Sequence, residues 1–518
     1  MMREFNITGT CIPEKHYMVN IDNKLDYIFN LVEKEQYFVI NRPRQYGKTT
    51  TLNQVRRKLA DQYLVISISF EGQGENAFSS ETLFVNEFIA AVKKSLLLNK
   101  VDSKIIADWQ QRDESISPMT NLSSNISALV SAADKEIILM IDEVDKSSGN
   151  QVFIDFLGML RTKYLARNEG TDTTFKSVIL AGVHDIKNLR LKIRTDGEHK
   201  YNSPWNIAAS FDVDMSFSAK EISTMLCQYE EDHHTGMNVQ NIADELYYFT
   251  QGYPFLVSYL CKVIDEKLAK DWSSQGINSA VKMFLSEKTT LTDSLIKNIE
   301  NDKELYDLVY SLLVALNPID YVPSNAAIEK GVMYGILSRG ENNKVVISNK
   351  IFELYIYNHL MSQKKLSQIV GSTSDMERKY VANGQLNMDK ILDGFRDFMH
   401  SEYRSKDDGF LEREGRLLFL AFLKPIINGS GFYYVEAETG EDKRMDVIVT
   451  YGSKEFIVEL KIWRGKSEHE SAYEQLTEYL DLKKQDTGYL LTFSFKKSKE
   501  SSGQWVEHRN KRIYDVIV

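Results

Sequence analysis

The chain has 518 residues, 43% of them apolar and 26% charged. At a working size of about 150 residues per domain this gives three or four domains, with ample core to bury. The formal net charge of −10 excludes a generally basic nucleic-acid coat protein, though not a local basic groove.

In chain order, the spacing predicts an amphipathic helix near Lys24–Glu35, after a segment that either packs over a nucleotide base or caps a sheet edge. The apolar run Tyr37-Phe-Val-Ile40 then reads as a strand. It leads into Asn41-Arg-Pro-Arg-Gln-Tyr-Gly-Lys-Thr-Thr50, and a helical pattern with Leu52, Val55 and Leu59 on one face leads out. Strand, Gly47-Lys48-Thr49 and helix is the layout of a phosphate-binding loop. The free N–H groups and positive dipole end of the helix favour an anion there. Lys48 is suited to the β- and γ-phosphates, and the Thr49 hydroxyl to Mg²⁺. Arg42, Pro43, Arg44, Gln45, Tyr46 and Thr50 complete the candidate loop. Arg42 stands where a glycine is usual. Pro43 biases it to an extended backbone, and Arg42 offers a phosphate contact of its own. Pro43 lacks an N–H, so the donors are expected from Tyr46–Thr49.

Leu64–Phe70 alternates and reads as a strand, and residues 80–99 and 121–133 show helical spacing. Ile137-Ile-Leu-Met-Ile141 is a strand buried on both faces, ending in Asp142-Glu143-Val-Asp145. In an open α/β sheet, ligands bind at that edge. Asp142 is placed to hold Mg²⁺ through water, and Glu143 to polarise an attacking water. A further strand, Ser177–Ala181, ends at Gly182-Val-His184, which makes His184 a candidate γ-phosphate sensor. Arg161 and the run Arg190–Arg194 are candidate arginine fingers, with a solvated face as the alternative. Asp212–Phe217 alternates and predicts another strand. Residues 218–290 read as helices, interrupted at Gly252-Tyr-Pro254. Helices at Leu305–Leu316 and Ala326–Leu337, a short Val345-Val-Ile-Ser pattern and a helix at Ile351–Leu360 fit a winged-helix module. Residues 363–388 are polar and read as a hinge.

The last 130 residues change character. Helices at Asp389–Tyr403 and from Glu412 precede strands at Phe432–Val435, Met445–Thr450 and Glu455–Lys461. On a strand, residues i and i+2 share a face, so Glu459 and Lys461 project together. The turn Tyr451–Lys454 makes a hairpin that sets Asp446 beside Glu459. With Glu414 on the preceding helix, these carboxylates suit Mg²⁺ or Mn²⁺. Lys461 is suited to orient a water or stabilise a pentavalent phosphate. Gln475 and Tyr479 share a face of the next helix. The alternative is a charged, solvent-facing hairpin. The tail, Lys496-Lys-Ser-Lys499 and Arg509-Asn-Lys-Arg512, is locally basic and suits a phosphate backbone.

Cys11, Cys227 and Cys261 are far apart and read as reduced thiols of a cytoplasmic protein. No apolar signal core and no membrane span is legible, so no membrane partner is expected.

These motifs carry a resemblance. Phe5 with Cys11-Ile-Pro-Glu-Lys-His-Tyr17, the loop Arg42–Thr49, Ile141-Asp-Glu-Val-Asp145, Ser203-Pro-Trp-Asn206, Gly252-Tyr-Pro254 and Asp446…Glu459-x-Lys461…Gln475 resemble the AAA-ATPase-like proteins, related to the ASCE and STAND P-loop ATPases, that carry a C-terminal PD-(D/E)xK nuclease-like domain. The resemblance implies an α/β fold with a P-loop ATPase core at 1–217, a helical lid at 218–295, a winged-helix-like module and hinge at 296–375 and a restriction-endonuclease-like domain at 380–518. It implies a sheet order of 5-1-4-3-2 in the ATPase core. ATP and Mg²⁺ at Lys48, Thr49 and Asp142, catalysis by Glu143, and a nuclease centre at Glu414, Asp446, Glu459 and Lys461 follow from the same resemblance. So does a sensor-like role for Gly252-Tyr-Pro254. The expected function is ATP-regulated, metal-dependent cleavage of nucleic acid, with DNA the favoured partner and a homo-oligomer the expected assembly. The alternatives are a nucleotide-dependent switch or DNA-binding ATPase whose nuclease-like domain is inactive, and an ATPase that moves along nucleic acid. A defence role is an analogy.

Overall fold

The computed structural model of the chain describes residues 3–72, 74–110, 113–147, 150–183, 204–313, 319–363, 379–382, 385–402, 412–427, 431–434, 447–451, 454–463, 465–494 and 502–518. Strands β1 (Phe38–Asn41), β2 (Leu64–Ser69), β3 (Ile137–Asp142) and β4 (Ser177–Gly182) form a sheet in the order β1-β4-β3-β2. All its pairings are parallel. β3 and β4 are buried at every position, which is why they read as unbroken apolar runs rather than alternating ones. Alternate residues serve alternate faces. Phe38, Ile40, Met140 and Ile179 pack toward Leu52 and Val55 of the helix Lys48–Leu59. Val39, Leu139, Ile141 and Leu180 pack toward Phe84, Phe88 and Phe156 on the other side. The order matches four positions of the expected sheet. At the fifth, outside β1, a single bridge joins Phe38 to Ala209.

The strand expected at Asp212–Phe217 does not form. Its edge is used by side chains instead. The Arg42 guanidinium donates to the carbonyls of Phe211 and Val213, and the Asp214 carboxylate accepts from the Ser216 N–H and hydroxyl. An Asp that bonds the backbone two residues on favours a turn over a ladder.

Four helices follow, at Ala219–His233, Val239–Thr250, Pro254–Lys267 and Ser274–Ser286. Ser218 and Glu221 close the first with a capping box. Gly252 has φ +69 and its carbonyl accepts from the Phe217 N–H at 2.8 Å. A Cβ there would lie 1.8 Å from the Phe217 carbonyl oxygen. Gly252→Ala is therefore expected to lower unfolding free energy by about 2–5 kcal/mol, the sum of overpacking and a strained left-handed backbone. Denaturant titration of the full chain measures it.

Helices Thr290–Glu300, Lys303–Leu313 and Ala326–Met333 lead to an antiparallel pair, β5 (Leu337–Arg339) and β6 (Val345–Ile347), and then to the helix Lys350–Gln363. The helix expected over Ala326–Leu337 stops at Met333. Gly335 adopts φ +73 and the Ile336 N–H closes back on Gly331, so Leu337 starts a strand instead.

A two-residue pair, β7 (Val381–Ala382) and β8 (Gln385–Leu386), precedes helices Met388–Glu402 and Glu412–Ile427. The last sheet has six strands: β9 (Gly431–Tyr434), β10 (Val447–Tyr451), β11 (Lys454–Ile462), β12 (Thr487–Phe493), β13 (Ser502–His508) and β14 (Lys511–Ile517). Their order is β13-β14-β12-β11-β10-β9. β11, β12 and β14 run parallel, and the helix Lys466–Leu482 crosses between the first two. The α/β class holds for both sheets. No helix among the described residues is long and apolar enough to cross a membrane.

Candidate functional site

Gly47 caps the helix Lys48–Leu59 in a left-handed conformation, φ +74, which turns the chain so that the helix N-terminus meets the loop. Lys48 is buried, and its Nζ donates to the carbonyls of Arg42 at 2.9 Å and Pro43 at 3.0 Å. Burial pulls its pKa down, against the carboxylates of Asp145, Glu143 and Asp142. The Thr49 hydroxyl donates to Asp142 Oδ2 at 2.7 Å, which joins the loop to the end of β3. The other Asp142 oxygen accepts from the Glu143 N–H at 2.9 Å. Glu143 itself is half-buried at φ +57, and burial raises its pKa. Asp145 accepts from the Val183 N–H through both oxygens, at 2.7 and 2.6 Å, and so ties the end of β4 to the end of β3.

The rest of the loop divides its labour. Arg42 is turned away from Lys48 Nζ. Besides Phe211 and Val213 it bonds the Asn41 carbonyl at 2.6 Å, and its guanidinium lies 5.2 Å from the Phe211 ring centroid. The phosphate contact expected of Arg42 is thus not prepared, because its side chain stands in for a strand neighbour. Arg44 is exposed. Gln45 Nε2 donates to Thr290 Oγ1 at 3.0 Å, and Thr50 Oγ1 accepts from the Cys11 N–H at 3.1 Å. Tyr46 meets Tyr253 edge-on, with centroids 4.7 Å apart. His184 and Arg190–Arg194 lie outside the described residues, and Arg161 is half-buried on the helix Gln151–Asn168.

Beside the loop is a cavity of about 200 Å³ lined by Asn6, Cys11, Gly47, Thr51, Phe217 and Phe255, among others. Its walls come from the N-terminal segment and the helical region after residue 214. Phe5 and Tyr17 join the segment to that region by packing on Tyr229, at 5.1 and 5.3 Å. Of these wall residues the sequence pattern pointed to Gly47 and, through the resemblance, Cys11; Thr51, Phe217 and Phe255 carried no such signal.

In the second sheet, Glu459 on β11 is fully buried, and Lys461 Nζ lies 2.7 Å from its Oε1. A buried carboxylate beside a lysine is a hard-oxygen donor of the kind divalent cations take. β10 begins at Val447, which pairs with Val458. Asp446 lies outside the described residues. Glu414 falls on the helix Glu412–Ile427, and its side chain is likewise outside them. Among the described residues no group of three or more His, Cys, Asp or Glu side chains is arranged to hold a metal ion. Gln475 is half-buried at the flank of the stripe Ala472, Leu476, Thr477 and Leu480.

Sequence reasoning missed β12, β13 and β14, and with them Asp515. In register, Glu459, Leu490 and Asp515 form one row across three parallel strands and so share a face. Asp515 is buried, bonded by His469 Nε2 at 3.0 Å and the Tyr473 hydroxyl at 2.7 Å. The basic tail is partly neutralised. Arg509 pairs with Glu474 at 2.9 Å, and Lys511 with Asp481 at 3.0 Å and Asp486 at 3.2 Å. Lys496–Lys499 lies outside the described residues.

Comparison with known proteins agrees with both halves. A 23% identical stretch of 312 residues is shared with the uncharacterized WD repeat-containing protein slr0143 of Synechocystis sp., covering 56% of this chain and 24% of that protein. The chain thus spans about a quarter of that relative's length. Among solved structures, the Aeropyrum pernix ORC1 protein in complex with DNA is 14% identical with a TM-score of 0.29, over 68% of this chain and 95% of that one. The Aeropyrum pernix ORC2 protein with ADPNP and ADP is 9% identical with a TM-score of 0.32, over 66% and 94%. Neither likeness is close enough to say what this chain binds. The family matches are broader. Residues 18–358 match the AAA-like domain and residues 431–504 the PD-(D/E)XK nuclease superfamily. The chain therefore belongs to the AAA-like domain family and carries a PD-(D/E)XK nuclease-superfamily domain near its C-terminal end.

Proposed function

We propose that the protein is an ATP-dependent, metal-dependent nuclease in which the nucleotide loop controls cutting at the second sheet. The observation that carries this reading is the pairing of two prepared sites in one chain. Thr49 is hydrogen-bonded to Asp142 beside Lys48, and Lys461 lies against Glu459 on β11 of the second sheet. The modules are taken as 1–217 for the ATPase core, 218–295 for the lid, 296–375 for the winged-helix-like module and hinge, and 380–518 for the nuclease-like domain.

At the first site Lys48 holds the β- and γ-phosphates, after exchanging the carbonyls of Arg42 and Pro43 for phosphate oxygens. The helix N–H groups from Gly47 onward hold the anion. Thr49 and Asp142 hold Mg²⁺, and Glu143 orients and deprotonates the attacking water. The raised pKa of Glu143 brings it nearer neutrality, where a general base works best. At the second site Glu459, with Asp446 and Glu414, holds Mg²⁺ or Mn²⁺. Such an ion, when bound, lowers the pKa of water and offsets charge on a scissile phosphate. Lys461 stabilises the charge that builds on the phosphate oxygens. Nucleic acid, most simply DNA, is the substrate, and a homo-oligomer is the working assembly.

The test is a cleavage assay on single-stranded DNA, double-stranded DNA and RNA, with Mg²⁺ or Mn²⁺, and with ATP or a non-hydrolysable analogue. Lys48→Ala is expected to weaken ATP binding about 10- to 100-fold, the worth of a charge-assisted hydrogen-bond set. Asp446→Ala is expected to abolish cleavage and leave ATP binding intact. Equal cleavage by wild type and Asp446→Ala would assign the cutting elsewhere. No cleavage under any condition would leave a nucleotide switch with a retired nuclease fold.

A further inference from the structure

The helix Lys350–Gln363 touches both candidate sites' supports. At one end it meets the nucleotide loop through a single intermediary. Tyr253 donates its hydroxyl to the Arg44 carbonyl and lies edge-on against Tyr46. The Phe352 ring packs against the same Tyr253, with centroids 5.3 Å apart at 66°. The turn after the helix Ala326–Met333 also reaches the loop, since a Cβ on Gly335 would lie 2.7 Å from Pro43 Cγ. On another flank Tyr357 packs edge-on against Tyr433 of β9, with centroids 5.6 Å apart at 89°. β9 pairs with β10, Tyr433 standing opposite Val449.

Phe352 and Tyr357 are both buried, and five residues of α-helix separate their directions by about 140°. One rod thus has the nucleotide loop on one flank and the outer strand of the second sheet on the other. The contact with the loop is narrow. A cleft of about 1260 Å³, lined by Arg42, Tyr46, Tyr321, Glu329 and Arg339 among others, opens beside it. The helix itself is packed into the core through Ile351, Leu354, Ile356 and Leu360, so it acts as one rigid element.

The loop residues beside Tyr253 and Gly335 adjoin those that Lys48 bonds. Lys48 rests on the carbonyls of Arg42 and Pro43. Pro43 abuts Gly335, and the next residue, Arg44, holds Tyr253. Drawing Lys48 to a phosphate releases two carbonyls within this contact, which gives the two loop states different contacts with the rod. A ligand shifts a conformation only through such a difference.

We propose that the helix Lys350–Gln363 transmits the nucleotide state of the loop to the second sheet, through Tyr253 and Phe352 on one side and Tyr357 and Tyr433 on the other. This rests on the reading that the loop binds ATP, but not on the second sheet being an active nuclease. The test is amide hydrogen exchange on the full chain, with and without ATPγS, following the strands Gly431–Tyr434 and Val447–Tyr451. ATPγS is expected to change exchange there by about fivefold or more, the low end of known couplings. Tyr357→Leu and Tyr433→Leu are each expected to remove that change while ATPγS affinity stays within about threefold of wild type. Two conservative variants on opposite sides of one contact guard against a folding defect in either. If ATPγS binds and the strands do not respond, or respond equally in both variants, transmission through this helix is overturned. If ATPγS does not bind at all, the nucleotide reading fails first and the inference with it.

Discussion

Glu143→Gln is expected to lower ATP turnover by about two to four orders of magnitude, with ATP affinity nearly unchanged. That span is what a positioned general base contributes. The geometry favours a clean result. The Glu143 N–H, not its side chain, bonds Asp142. The amide of glutamine keeps the size and hydrogen-bonding reach of the carboxylate but cannot take a proton. The left-handed φ of residue 143 is common to both side chains, so backbone strain does not change. Phosphate release at saturating ATP measures turnover, and calorimetric titration with ATPγS measures affinity. A loss of affinity equal to the loss of turnover would make Glu143 a binding residue instead.

Lys461→Met is expected to act twice. With its Nζ 2.7 Å from the buried Glu459 carboxylate, Lys461 offsets a charge that is costly to bury. Removing one partner of a buried pair costs about 3–5 kcal/mol. If the centre also cuts, losing a group that stabilises the transition-state phosphate lowers the rate about 10²- to 10³-fold. The two effects separate through metal. A divalent cation supplies the missing charge, so Mn²⁺ should raise the melting temperature of Lys461→Met by more than it raises that of wild type. Cleavage should stay low in the same sample. If Mn²⁺ stabilises wild type and variant alike, Glu459 is not a metal ligand. Thermal scans with and without Mn²⁺, beside the cleavage assay, decide it.

Much of this was legible in the sequence, for physical reasons that differ by region. The runs at Phe38, Ile137 and Ser177 announce a parallel sheet because strands buried on both faces have no polar positions to confuse the pattern. That Lys48, Thr49, Asp142 and Glu143 meet was legible because a glycine-bearing loop before a helix and the end of a buried strand are local patterns. Arg42 misled, because its partners Phe211 and Val213 lie far along the chain and nothing local marks them. The alternation at Asp212–Phe217 misled too, since Asp214 turns its own backbone. β13 was missed because an edge strand with four of its seven positions exposed and none buried reads as a polar tail. β12, with its apolar run after Gly488, carries a pattern that sequence could have shown. Asp515 was unreadable, because only the strand register places it in the row of Glu459.

The order of the second sheet bears on how the protein matures. β14 lies between β12 and β13 although it is last of the three in sequence. The row that holds Glu459 and Asp515 therefore cannot close before residue 517 has been made. The last of the four described strands of the first sheet ends at residue 182. At synthesis rates of about 5–20 residues per second, tens of seconds separate the two. During translation each molecule acquires its nucleotide loop well before its second sheet, so the nuclease-like centre is never assembled without the element proposed to govern it.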